Sequence, residues 1–256
     1  MIGAIIGDIA GSIYEWNPIK TKDFPLLPEQ CFFTDDTVLT VAIAESIVSN
    51  TSYLQSVRKI GARYPNLGYG GSFRKWLYSP VTEPYNSWGN GSAMRVSPVG
   101  FAFDTTDDVL REAKNTSIIT HDHPEGIKGA QATALAVFLA RTGHSKDDIR
   151  EQIQNKFKYN LNRTVDDIRP DYRFDVSCQG TVPEALIAFL DSISYEDAIR
   201  NAISLGGDAD TLACIAGGIA EAFYGDIPQE LIVKAKNTLT PDLLIIVETF
   251  YDIYNL

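Results

Sequence analysis

The chain has 256 residues, with 22 lysines and arginines against 33 aspartates and glutamates, so its formal charge is 22 − 33 = −11. Hydrophobic residues make up 45% and charged residues 21%, a globular composition that excludes a disordered chain. A pI near 4.7 excludes a nucleic-acid partner bound through a broad basic face, but not a small anion held by a metal or a helix N-terminus.

No apolar run approaches the roughly 18 residues of a membrane-spanning helix, and no membrane partner is expected. The first residues, Met1 to Gly11, are apolar, yet they lack a basic region and carry Asp8, which makes them a poor signal peptide. Cys31, Cys178 and Cys214 form no CxxC pair, so they read as three buried thiols in a reducing compartment. The expected location is the cytoplasm.

Helical periodicity dominates the chain. Residues 1–16 are apolar almost all round, as in a buried helix, and Val38–Val48 reads the same way. Between 65 and 91, Gly and Pro collect into a long irregular stretch, the kind of loop that is often functional. Thr106-Asp107-Asp108 opens an amphipathic helix carrying Arg111, Glu112 and Lys114. His121 to Glu125 marks another start, with capping-box spacing from Asp122 to Glu125 and Pro124 in the first turn. Tyr172–Val176 is the one short strand candidate. Pro183 is expected to open a helix through Leu190, followed by Tyr195–Leu205 and by Asp208–Tyr224 with Gly225 as its stop. Pro228–Leu239 and Pro241–Tyr254 complete a single all-α domain over 1–256.

Two acidic helix starts carry the chemistry. Phe33-Thr34-Asp35-Asp36-Thr37 precedes one buried helix, where a Thr cap and first-turn acids also suit an ordinary helix N-terminus. Thr106-Asp107-Asp108 is an internal control, the same tripeptide on a surface helix. Gly206-Gly207-Asp208-Ala209-Asp210-Thr211 changes the balance, because it opens a second helix that is apolar on every side. Four acids at buried helix starts repel unless cations neutralise them. All-oxygen ligands, with no His or Cys nearby in sequence, suit Mg²⁺ or Mn²⁺ rather than Zn²⁺, and two acid clusters allow two ions. Asp8 reads first as a buried structural group.

Trp88 to Arg95 places Gly89, Asn90, Gly91, Ser92 and Met94 in a turn that feeds a helix, where bare N–H groups suit a phosphate, although tight turns use the same residues. His121 and His123 flank Asp122 as substrate contacts, metal ligands or structural residues. Tyr69, Trp76, Tyr78, Tyr85 and Trp88 are candidates for stacking on a base or for loop packing.

In order and spacing, Gly7-Asp8 through Glu15, Phe33–Thr37, Gly89–Arg95, Thr120–Pro124 and Gly206–Thr211 together resemble the ADP-ribosylglycohydrolase family, which includes the dinitrogenase reductase-activating glycohydrolases. Each motif alone is weak, but five in sequence across residues 1 to about 225 are specific. The resemblance implies a compact orthogonal multi-helix fold with a binuclear Mg²⁺ or Mn²⁺ centre. It also implies cleavage of the glycosidic bond that joins ADP-ribose to an acceptor, either an arginine or serine side chain of a protein or a small molecule. Carried over by motif, Thr34, Asp35, Asp36, Asp208, Asp210 and Thr211 hold the metals, and Glu15, Asp35 and Asp210 serve catalysis. Gly89, Asn90, Gly91, Ser92 and Met94 then cradle the diphosphate, with His121 or His123 near the substrate. Two rival readings remain: a catalytically silent ADP-ribose-binding or structural relative, and a dinuclear phosphohydrolase. A silent relative is expected to lack part of the ligand set, and none of it is missing here.

Overall fold

The computed structural model describes residues 1–255, and its regular elements are all helices. In chain order the helices are α1 (Ile2–Gly11), α2 (Asp35–Val48), α3 (Tyr53–Gly61), α4 (Gly71–Tyr78), α5 (Gly91–Met94), α6 (Ser97–Ala102), α7 (Thr106–Ser117) and α8 (Pro124–Arg141). They continue with α9 (Lys146–Phe157), α10 (Val165–Ile168), α11 (Cys178–Leu190), α12 (Tyr195–Ser204), α13 (Ala209–Tyr224), α14 (Gln229–Thr238) and α15 (Pro241–Tyr254). One apolar cluster runs through them from Met1 to Phe250. No helix among the described residues is long and apolar enough to cross a membrane.

The fold is built around α1 and α13, the most extensively packed pair. Every residue of α1 is buried, as is α13 from Ala209 to Glu221. Glycine makes that closeness possible. A Cβ on Gly7 would sit 2.0 Å from the Ala213 carbonyl oxygen, and one on Gly217 would sit 2.3 Å from the Gly3 carbonyl oxygen. Gly11 continues the row, with Asp210 Cα 2.4 Å from where its Cβ would lie. Backbone contact along α1 therefore fixes where the acidic mouth of α13 stands.

Several boundaries differ from the sequence reading, each for a local reason. The first helix stops at Gly11 instead of 16, where Ser12 turns its hydroxyl back to the Ile9 carbonyl oxygen at 2.8 Å. The cap of α8 is His123, whose Nδ1 accepts from the Glu125 amide at 3.1 Å, while Asp122 instead accepts from the Asn86 amide at 2.8 Å. Pro183 lies inside α11 and does not open it, because the Ser177 hydroxyl caps the helix upstream by accepting from the Gly180 amide. Tyr172–Val176 forms no strand. It has a single antiparallel bridge to work with, Gly89 to Ser177, which docks this segment on the 88–90 turn. The irregular 65–91 stretch contains α4, whose Phe73 and Trp76 pack into the core with Tyr69. Tyr69 and Trp76 are thus loop packing and not stacking platforms. Cys178 and Cys214 are buried thiols as expected, whereas Cys31 is half-buried; all three are free.

Candidate active site

The N-termini of α2 and α13 open onto one cavity of about 310 Å³. At the start of α2, Thr34 is the cap, its side-chain oxygen accepting from the Asp36 amide at 3.3 Å. The control tripeptide falls in a different register: Thr105, not Thr106, caps α7 on the exposed surface, with its oxygen accepting from the Asp108 amide. The same three letters thus stand one position apart relative to their helices.

Asp8, fully buried in α1, ties down the α2 start. Its carboxylate accepts from the Thr34 amide at 2.9 Å, the Thr34 hydroxyl at 2.6 Å, the Thr37 amide at 3.1 Å and, most closely, the Thr37 hydroxyl. This is the structural role read from the sequence. It also has a chemical consequence, because the Thr34 hydroxyl spends its proton on Asp8 and keeps a lone pair available.

The two acidic starts meet. Oxygens of Asp8, Asp36 and Asp210 lie within 4.8 Å of one another, as do those of Glu15, Asp208 and Asp210. The Thr211 hydroxyl bridges the helices, donating to Asp36 Oδ2 at 3.3 Å. Asp35, on the loop side, faces Gly68 so closely that a Cβ there would lie 2.9 Å from Asp35 Oδ1. Asp36 Oδ1 is buried with no hydrogen-bond partner.

The electrostatics follow from that crowding. Burial first, then the neighbouring Asp210 charge, push Asp35 and Asp36 well above the usual carboxylate range. Asp210 is raised in the same way, by burial and then by Asp208. Asp208 rises to about 6 despite the Asn90 amide that donates to it at 2.7 Å, and Glu15 rises to about 7 through burial and the Asp210 charge. A divalent cation bound there would relieve this repulsion directly. The donors are all oxygen, one carboxylate oxygen is unpartnered, and carboxylates and hydroxyls converge from two helices. The residues present fit hard cations such as Mg²⁺ or Mn²⁺.

Of the residues singled out in the sequence, Glu15, Asp35, Asp36, Gly89, Asn90, Gly91, Met94, His121, Asp208, Asp210 and Thr211 line the cavity. Thr34 is buried just behind it. Asn90 turns its amide toward Asp208 and the Thr181 hydroxyl rather than outward. Ser92 is wholly buried and donates to the Gly126 carbonyl oxygen at 2.7 Å, away from the cavity. His123 stays with its capping bond and packs against Trp88, with ring centroids 5.5 Å apart. Tyr85 lines the wall, 6.0 Å from the His121 ring. Sequence reasoning missed Phe174 and Val176, which line the cavity from the docked 172–177 segment. Phe174 stacks on the exposed Trp16 at 5.5 Å, leaving an aromatic pair at the rim. The alternation of large and polar residues at 172–176 was the available signal, read as a strand because nothing in the sequence names its partner.

Fold and cavity together define an all-α protein with an acidic pocket suited to hard cations. A model of the ADP-ribosylglycohydrolase family matches residues 1–254, and the chain belongs to that family. ADP-ribosylhydrolase ARH3 of Homo sapiens is 26% identical, covering 88% of this chain and 84% of its own. ADP-ribosylarginine hydrolase Tri1 of Pseudomonas putida (strain GB-1) is 26% identical, covering 91% of this chain and 72% of its own. A solved structure described as an ADP-ribosylglycohydrolase-related protein complex shares the fold, with a TM-score of 0.76 at 24% identity over 99% of this chain and 97% of that one.

Proposed function

We propose that the protein hydrolyses the glycosidic bond between ADP-ribose and an acceptor on a protein or small molecule, releasing intact ADP-ribose, with two divalent cations at the α2 and α13 starts. The observation that carries this reading is the meeting of Asp35 and Asp36 with Asp208 and Asp210 at one cavity that the Gly89–Met94 turn also lines. Thr34, Asp35, Asp36, Asp208, Asp210 and Thr211 would hold the cations. Such ions, when bound, would supply Lewis acidity near the anomeric carbon.

The remaining steps fall to the chain's own groups. Asp8 holds the α2 start rigid, which keeps the Thr34 and Asp36 oxygens in place without reorganisation. Glu15 stands beside Asp208 and Asp210 on the cavity wall, outside the residues that would hold the cations, where its carboxylate can carry a proton to or from the reacting groups. Here most acids are engaged as ligands, so the two free carboxylates of ordinary glycosidases are not both available. The exposed Trp16 and Phe174 pair at the rim offers apolar faces to the acceptor side.

The products test this reading. Incubation of ADP-ribosyl-arginine and ADP-ribosyl-serine peptides with the protein and Mg²⁺ should yield free peptide and intact ADP-ribose. The arginine linkage is the one that the name of the Pseudomonas putida relative specifies. Formation of AMP and ribose phosphate would instead establish the phosphohydrolase reading.

A further inference from the structure

His121 lies on the cavity wall, and its ring is held by a hydrogen-bond chain that begins deep in the core. Arg95 is fully buried and donates from Nη2 to the Thr116 carbonyl oxygen at 2.8 Å and to Thr120 Oγ1 at 2.9 Å. Thr120 Oγ1 in turn lies 2.7 Å from His121 Nδ1. A guanidinium nitrogen can only donate, so Thr120 accepts from Arg95 and keeps one proton to give. Thr120 is itself fully buried, and its hydroxyl has no other polar contact among the described residues. His121 Nδ1 is therefore the acceptor for that proton. The opposite arrangement, with Nδ1–H donating to Thr120, would leave a buried hydroxyl proton unspent.

An imidazole that accepts at Nδ1 and is uncharged carries its proton at Nε2. Nε2 faces the turn of the cavity loop, where a Cβ on Gly89 or Gly91 would lie 3.5 or 3.3 Å from it. No described residue accepts from it. The backbone holds the ring from behind, since the His121 amide donates to the Ser117 carbonyl oxygen and the Ser117 hydroxyl donates to the His121 carbonyl oxygen, both at 2.8 Å. Among the described residues Arg95 has no carboxylate partner, and its Nε and Nη1 are buried without hydrogen bonds. Its positive charge thus faces this corner of the cavity uncompensated, which favours an anionic ligand group there.

We propose that Arg95 and Thr120 are positioning residues that hold His121 as the uncharged Nε2–H tautomer, a fixed hydrogen-bond donor to a phosphoryl oxygen of a bound nucleoside diphosphate sugar. Burial first, and then the Arg95 charge, keep the imidazole well below its ordinary titration range, in agreement with an uncharged ring. The identity of the acceptor oxygen rests on the ADP-ribose reading; the tautomer does not.

The test has two arms. Nitrogen-15 NMR of the His121 ring in the unliganded protein reads the tautomer, and calorimetric titration with ADP-ribose itself, in Mg²⁺, reads the donor's contribution. The wild-type ring should carry its proton on Nε2. Thr120→Val should lose that preference and weaken ADP-ribose binding by about tenfold, the worth of one hydrogen bond to a charged group. Thr120→Ser, which keeps the hydroxyl, should restore both. A proton on Nδ1 in the wild type overturns the proposal without any variant, as does Thr120→Val with unchanged tautomer and affinity. Wild-type protein that fails to bind ADP-ribose would contradict the functional reading, while the ring resonances would still decide the tautomer.

Discussion

At the residue scale, the acids at the starts of α2 and α13 differ from ordinary caps in what surrounds them. Asp107 and Asp108 open α7 at the surface, and Asp108 pairs with Arg111. Asp36, Asp208 and Asp210 have no cationic partner in the structure and are buried. Removing Asp35 or Asp210 should therefore abolish turnover. Loss of a partner merely supporting a ligand already costs about 10–100-fold, so Asp35→Ala and Asp210→Ala should each cost at least about a hundredfold in kcat/KM. Asp107→Ala should leave kcat/KM at the wild-type value. Steady-state kinetics on one ADP-ribosylated peptide check all three, and full activity in Asp35→Ala would remove that residue from the ligand set. Much of this site was legible in the sequence, because both acidic tripeptides stand directly before runs that are apolar on every side. The roles of Ser92 and His123 were not: whether a polar side chain beside a turn faces the cavity or the backbone depends on Gly126 and Glu125, partners that the local pattern does not specify.

At the scale of elements, the site depends on how closely α1 lies on α13. The glycine row of Gly3, Gly7 and Gly11 is visible in the sequence at four-residue spacing, yet the helix it meets is more than two hundred residues away, and no local rule identifies it. Gly7→Ala forces a Cβ to within 2.0 Å of a backbone oxygen, where no side chain can give way. It should destabilise the protein by at least about 3 kcal/mol in chemical denaturation and weaken metal binding, because it displaces α13. Gly71→Ala has open space around its Cβ and a helical position, so it should be neutral or stabilise by a few tenths of a kcal/mol up to about 1 kcal/mol. An equal loss in both variants would mean that the α1–α13 contact is not special. Helix positions were otherwise read well where a cap residue and an apolar period agreed, as for α12, α13, α14 and α15. They were misread where a proline attracted the boundary, as at Pro183, since the Ser177 cap starts α11 upstream and the burial of nearly all of the helix carries it through the proline.

At the scale of the whole molecule, the acidic cluster should make stability depend on pH and, with the proposed cations, on metal. Asp208 and Glu15 titrate in the folded state at about 6 and about 7, above their ordinary values of 3.8 and 4.5. Raised values mean that folding takes up protons. The favourable contribution is complete below the ordinary values and is lost as the pH rises through 6 to 7. Metal-free protein in EDTA should thus melt at progressively lower temperature from about pH 4 to about pH 7, between the ordinary values and the raised ones. Cations bind the deprotonated oxygens, so their stabilisation should grow over the same window. At a hundred times the dissociation constant that stabilisation is about 2.7 kcal/mol, or roughly 5–10 °C in Tm for a chain of this size. A metal-independent melting temperature at pH 8 would contradict the cation site. One experiment tests the central claim most directly: titrating Mn²⁺ into metal-free protein in the presence of an ADP-ribosyl-arginine peptide, and following the products by mass spectrometry at each step. The account predicts that intact ADP-ribose appears only with metal, rises until two equivalents are bound, and stops on addition of EDTA. Undiminished release of ADP-ribose in EDTA would contradict it.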